Sequence, residues 1–281
     1  MKPFSAFEGF DILLAAADLK TLLPHEEVIE SEVRKLSESM NKDSVQRDPI
    51  IVDLSSRTIL DGMHRYHSLK KLGAVSCIVC YVKYEDDRIK VGRWVRRLDV
   101  DSKICKDIAY SLGMIEFSEP RLALKKVDEG SIQAAIVSYE KAFVSLDKSN
   151  EYPKKFVKNF DNEVNRMGLN VEIVYDDSVD KLLVPSKCIF YPRPPSKEQI
   201  VSSAKSGDLF PAKSTRHEIP YRPVGVNFPL ERLFDRDMNE TNLALKEMLT
   251  RRRRRILEPG TEFHGRIYRE TLVSYEEEKS A

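Results

Sequence analysis

Ile59-Leu60-Asp61-Gly62-Met63-His64-Arg65-Tyr66-His67-Ser68-Leu69-Lys70-Lys71-Leu72-Gly73 (ILDGMHRYHSLKKLG) places an acid, a glycine, two histidines and an arginine within seven consecutive positions. Thr58-Ile59-Leu60 reads as a short strand, Gly62 permits a tight turn, and Met63 to Leu72 reads as a helix stopped by Gly73. A helix that begins directly after a strand leaves its first backbone N–H groups unbonded and its positive dipole end open, which makes a ready anion site. Phosphate fits it. Arg65 can grip phosphate oxygens with two prongs, and His64 adds a donor that is not permanently charged. The plainer alternative is that Asp61 caps the helix and Arg65 is a solvated side chain.

Outward from that turn, Pro49-Ile50-Ile51-Val52-Asp53-Leu54 reads as a buried strand and Ser55-Ser56-Arg57 as the turn after it. Val75 to Tyr81 is another apolar strand. Upstream, Val28, Ile29, Val33, Leu36 and Met40 recur at roughly helical spacing. Residues 20 to about 95 therefore form a compact α/β unit with a strand-turn-helix at its middle. Leu23-Pro24-His25-Glu26-Glu27 stands just before its first helix. Two carboxylates there can complement the helix dipole, or, beside a phosphate site, one of them can act as a general base.

Further on, residues 118 to 146 read as helical with a break at Gly130-Ser131, and Pro153 to Met167 as a helix closed by Gly168. Val171 to Tyr175 and Cys188 to Tyr191 read as strands. Ser196-Lys197-Glu198-Gln199 is a capping box that opens a short helix running to Gly207. Beyond it, Lys213-Ser214-Thr215-Arg216-His217 brings two cations, two hydroxyls and an imidazole into five residues, on a segment that neither helix nor strand periodicity explains. Such density suits phosphate oxygens; the alternative is a solvated basic loop. Four of the five histidines fall in or beside these motifs, and the fifth is His264.

Composition sets outer limits. With 281 residues, 41% of them hydrophobic, the chain can bury a large core as one domain or two. Its 46 basic and 45 acidic residues leave a formal +1, so no global field favours nucleic acid or an anionic membrane, and any anion site must be local. The longest apolar run, Ile12 to Ala17, is far short of the roughly 18 residues that span a bilayer. A soluble, cytoplasmic protein is expected. The four cysteines suggest no metal or disulfide framework: Cys77 and Cys80 point to opposite faces of one strand, and all four read as core residues. Only three glutamines accompany the heavy charge, a pattern of thermophilic proteins.

Pro49-Ile50-Ile51-Val52-Asp53 followed by ILDGMHRYHSLKKLG resembles the ParB/sulfiredoxin-like fold, in which the turn before this helix carries a nucleotide-phosphate motif. Joined with His25-Glu26 upstream and Lys213-Ser214-Thr215-Arg216-His217 downstream, it is similar to the free L-serine kinases of archaea and their siderophore-pathway relatives. The likeness covers residues 20 to about 95 and 196 to 223. It departs at Met63, where relatives often have histidine; there the neighbouring backbone matters more than the side chain.

The resemblance implies an α/β (α+β) protein. Residues 1–110 would be the nucleotide-binding domain, and 111–281 a helical and mixed α/β domain that supplies a phosphate loop. It implies a phosphotransferase that moves the terminal phosphoryl group of ATP or ADP, with Mg2+, to the hydroxyl of L-serine, giving O-phospho-L-serine for cysteine biosynthesis. In that reading Glu26 takes the hydroxyl proton with Glu27 in reserve, and Asp61 orients the hydroxyl or a magnesium-bound water. Gly62, Met63, His64, Arg65, Lys213, Ser214, Thr215, Arg216 and His217 hold the phosphates, and Trp94 and His25 bound the amino-acid pocket. Metal ligands and oligomeric state stay open. No Gly-x-x-x-x-Gly-Lys-Ser/Thr loop is present.

Two rivals come from the same fold. A ParB-type DNA-binding protein would use Ser102 to Met114, which resembles the first helix and turn of a helix-turn-helix, and the five arginines Arg251 to Arg255. The next helix, Arg121 to Val127, offers few side chains for reading bases, and the arginines read as the end of a helical stretch from Leu243 to Leu257. A sulfiredoxin-like reductase needs a reactive cysteine beside the phosphate turn, where this chain has Met63.

Overall fold

An apolar run with no polar alternation suits a strand covered on both faces, and Ile50–Asp53 is buried at every position. It pairs in parallel with Ser76–Val82, also buried throughout, and antiparallel with Ile59–Asp61. Phe10–Asp18 lies antiparallel on the other side of Ser76–Val82, and Ser5–Phe7 completes a five-stranded sheet. The helix Met63–Leu72 forms part of the crossover between the parallel pair and packs against the helix Glu30–Asp43. The buried Ser68 hydroxyl there donates to the Val33 carbonyl at 3.0 Å, so that hydroxyl keeps a partner at the contact.

This computed structural model describes residues 5–7, 9–146, 151–175, 179–263 and 265–277, so His264 lies outside the described residues. The chain forms two compact units, one of Met1–Lys90, Val201–Leu209 and His217–Ala281, the other of Val91–Ile200 and Phe210–Arg216. A boundary at 110 would instead fall inside the helix Ser102–Ser111 of the second unit. The cause is strand pairing. Lys90–Leu98 pairs with Val171–Tyr175 and Cys188–Pro192 in the second unit's sheet, whereas Tyr221–Val224, Thr271–Glu277 and Arg252–Leu257 form a three-stranded sheet in the first.

The second unit is built on a seven-stranded sheet that also contains Ala134–Ser138, Ala142–Val144 and Ile115–Phe117, with Thr215–Glu218 pairing with Lys90–Leu98 off the main path. Helices Ser102–Ser111, Pro120–Asp128 and Lys154–Arg166 accompany it. Its core gathers Leu124 and Val127 with Ile136's neighbours Ala135 and Val137, and Phe160 stacks on Phe190 with ring centroids 4.4 Å apart.

Three sequence expectations change here. The helical reading of 118 to 146 holds only for Pro120–Asp128; Ala134–Ser138 and Ala142–Val144 are strands, buried at every position. A short apolar run buried on all sides gives helix and strand the same pattern. Arg252–Leu257 is a strand paired with Thr271–Glu277, so the arginine run does not end a helix, and the helix is Met238–Thr250. Between Ser102–Ser111 and Pro120–Asp128 runs the strand Ile115–Phe117, hydrogen-bonded to Ala142–Val144, where a helix-turn-helix requires only a tight turn. Ser102 to Met114 is therefore not the first half of a helix-turn-helix.

Candidate active site

Gly62 adopts φ +101°, a region open to glycine, and gives the helix Met63–Leu72 an N-cap without a capping side chain. A Cβ at this position would meet Arg65 Nη2 at 2.9 Å, so the missing side chain is what lets the guanidinium lie against the turn. Arg65 Nη2 donates to Asp61 Oδ2 at 3.0 Å and to the Pro49 carbonyl at 3.3 Å, while Nε is buried with no hydrogen-bond partner. A buried unpartnered guanidinium N–H beside a glycine-capped helix start is the kind of group an anion satisfies. Met63 is buried, which leaves its backbone to the turn. His64 points to the other helix: its Nε2 accepts from Ile29 N–H at 3.3 Å and stands 3.2 Å from Glu32.

Behind the turn is a charge network. Arg222, on the strand Tyr221–Val224, donates to Asp61 Oδ2 at 2.8 Å, to Glu270 Oε1 at 2.8 Å and to the His217 carbonyl at 3.2 Å. Both Arg222 and Glu270 are 4% exposed. Burial works against the charge on Arg222, but Asp61 and Glu270 outweigh it and hold its pKa above the ordinary arginine value. Neither residue entered the sequence expectations. The available signal was an arginine inside the otherwise apolar Ile219-Pro220-Tyr221-Arg222-Pro223-Val224.

His25 and His217 are both buried in the first unit, with ring centroids 5.7 Å apart. His25 Nδ1 donates to the Ile59 carbonyl at 2.6 Å, and His217 Nε2 shares a 2.7 Å hydrogen bond with the Tyr84 hydroxyl. Burial pushes His25 down to about 4, partly offset by the Ile59 bond. Burial and then the neighbouring His25 push His217 down to about 3. Both rings are therefore neutral near pH 7 and bring no positive charge of their own. The His25 carbonyl accepts from Ser203 Oγ at 3.2 Å, so the next residue, Glu26, follows a residue held at ring and backbone. Glu26 is buried and Glu27 exposed. The helix opens at Glu30, with Glu30 and Glu32 in its first turn, so it is these two that complement the dipole, not Glu26 and Glu27.

In the second unit, the buried Arg96 forms a two-pronged pair with Asp161 at 2.9 and 3.1 Å. It donates as well to the carbonyls of Ala212 and Lys213, both at 3.1 Å. Lys213 sits at φ +58°, and Trp94 Nε1 donates to the Thr215 carbonyl at 2.9 Å. Arg216 then lies over the rings of Trp94 and Tyr175, at 5.7 and 5.4 Å from their centroids. The expected basic loop is thus a held turn that enters the strand Thr215–Glu218. Ser214 is fully buried, and its hydroxyl donates to the Pro211 carbonyl at 2.6 Å.

Of the expected site residues, the first unit contains His25, Glu26, Glu27, Asp61, Gly62, Met63, His64, Arg65 and His217, and the second Trp94, Lys213, Ser214, Thr215 and Arg216. Among the described residues no group of three or more His, Cys, Asp or Glu side chains could hold a metal ion, and no helix is long and apolar enough to cross a membrane. Asp61, flanked by two guanidinium groups, is a poor cation ligand.

No family model matches the chain. It is 28% identical over 233 residues to an ATP-dependent L-serine kinase of Staphylothermus marinus, covering 77% of this chain and 89% of the relative. It is 30% identical over 200 residues to a ParB-like protein of Sulfolobus acidocaldarius, covering 70% and 86%. A solved structure of a free serine kinase in complex with AMP superposes with a TM-score of 0.63 at 26% identity, covering 79% of this chain and 93% of that one.

Proposed function

The chain belongs to the ParB-like family, among its free L-serine kinases, and from that premise we propose that it transfers the terminal phosphoryl group of ATP or ADP to the hydroxyl of free L-serine. The product is O-phospho-L-serine. The observation that carries this reading is the buried carboxylate of Glu26, set directly after a doubly held His25, in the same unit as the glycine-capped turn of Arg65.

Phosphoryl transfer asks a protein for alignment and charge neutralisation more than for covalent chemistry. Glu26 takes the proton of the serine hydroxyl as the oxygen attacks; Glu27, exposed, is the reserve. The backbone N–H groups of Met63, His64 and Arg65 and the unpartnered Arg65 Nε bind phosphate oxygens. Asp61, neutralised by Arg65 and Arg222, orients Arg65 and does not act as a base. His25 and His217, neutral and buried, hold the backbone around Glu26 and Asp61. Trp94 sets Arg216. Magnesium is commonly held by one or two carboxylates, phosphates and several waters; with no metal-holding cluster among the described residues, the ion would be carried on the nucleotide phosphates and would neutralise charge there.

The acceptor is the free amino acid. A pocket for its ammonium and carboxylate presents polar groups that a peptide-flanked serine leaves unpaired, at about 1 to 3 kcal/mol each. Initial rates for L-serine, L-threonine and a blocked serine amide, with the preferred nucleotide and magnesium, test this. Serine should be fastest and the amide slowest; an amide that reacts as fast as serine would overturn the assignment.

A further inference from the structure

Cys105 and Cys188 belong to the second unit, whereas Cys77 and Cys80 belong to the first. Cys105 lies in the helix Ser102–Ser111 and Cys188 opens the strand Cys188–Pro192. Both are 0% exposed, and their sulfurs are 2.7 Å apart. Non-bonded heavy atoms rest at roughly 3.5 to 4 Å, whereas a disulfide is about 2.05 Å long. These sulfurs therefore need to approach by only about 0.7 Å to bond. Cys77 and Cys80, three residues apart on the strand Ser76–Val82, face opposite sides of their sheet and serve as an internal control.

We propose that Cys105 and Cys188 form a disulfide that ties the helix Ser102–Ser111 to the sheet of the second unit. The oxidant is a low-molecular-weight disulfide, RSSR. One cysteine, as thiolate, attacks an RSSR sulfur and releases the first RSH. The other cysteine attacks the protein-borne sulfur of the mixed disulfide and expels the second. Two protein S–H bonds are lost, one S–S bond forms, and RSSR is reduced to two RSH. The Cys105 contact and burial raise the Cys188 thiol's pKa, so exchange belongs to the chain before this core has closed. Once closed, the same burial shields the bond from reductants. Cys188 pairs with Leu98 on the strand that also carries Trp94 and Arg96, so the bond braces the sheet that holds the Lys213 turn.

The test uses the full chain, unfolded in denaturant with reductant and refolded with oxidised glutathione, then alkylated in denaturant and weighed intact. The expected product takes up two alkyl groups instead of four, and peptide mapping finds Cys105 joined to Cys188. In native buffer the bond should resist dithiothreitol, and in denaturant it should be lost. The oxidised form should melt several degrees above the reduced form of the same protein, a shift absent from Cys105→Ala and from Cys188→Ala. Four alkylations after refolding with oxidant, or a link that involves Cys77 or Cys80, would overturn the proposal. Because wild-type protein alone decides the mass result, a variant that fails to fold leaves the test intact.

Discussion

Replacing Arg222 with methionine removes the cation that Glu270 and Asp61 share. The two acids do not lose equally. The Glu270 side chain is 2% exposed and pairs with Arg222 at 2.8 Å, whereas Asp61 is 30% exposed and retains Arg65. Breaking a buried pair from one side costs about 3 to 5 kcal/mol, because the remaining buried charge loses its ion-pair partner without gaining water; a part-exposed acid with a second partner adds less than about 1 kcal/mol. Arg222→Met should therefore lower the unfolding free energy by about 3 to 5 kcal/mol at pH 7.5. The double variant Arg222→Met/Glu270→Gln, which strands no buried charge, should recover most of it. Guanidinium titration followed by far-ultraviolet circular dichroism reads all three, since Trp94 reports the other unit. A single-variant loss under about 1 kcal/mol, with no recovery in the double variant, would refute the reasoning.

The two neutral histidines set a pH dependence. Their folded values, about 4 for His25 and about 3 for His217, lie below the ordinary 6.5, so the unfolded chain takes up protons first. Their stabilisation is complete above pH 6.5 and falls as pH drops below it, by at most about 1.4 kcal/mol per pH unit for each ring; denaturation midpoints at pH 7.5, 6.5 and 5.5 should decline more steeply for wild type than for His25→Gln, and equal slopes would contradict the assignment. Arg96→Gln should raise the nucleotide KM about tenfold with a smaller change in kcat, because Arg96 holds the Lys213 turn and not the reacting atoms; Arg96→Lys should restore part of the loss, and an unchanged KM would remove Arg96 from that role.

What could be read from the sequence is what local contacts decide. The helix Met63–Leu72 ends where Gly73 adopts a left-handed φ of +85°. The Ser196-Gln199 capping box closes in both directions, at 2.9 and 3.2 Å. Elements that depend on distant partners were not legible. Arginine favours helices, yet Arg252–Leu257 is a strand because Thr271–Glu277 pairs with it. Likewise Thr215 and Arg216 look like loop residues until Arg96 and Trp94, more than a hundred positions away, fix the turn before them. The candidate site residues Glu26, Asp61, Gly62 and Arg65 stood out by chemical type. Arg222 and Glu270 did not, because their pairing joins positions 48 apart, and Arg222 reaches Asp61 across 161.

The central claim is a base-assisted phosphoryl transfer to free serine, and the most direct measurement is O-phosphoserine formation by purified protein from free L-serine, magnesium and each of ATP and ADP, for wild type and Glu26→Gln side by side. Wild type should accumulate phosphoserine with at least one nucleotide, and the variant should be slower by about 100-fold or more at unchanged nucleotide affinity, since a lost base costs rate and not ground-state binding. Nucleotide binding without phosphoserine in wild type, or equal rates in the two proteins, would contradict the account.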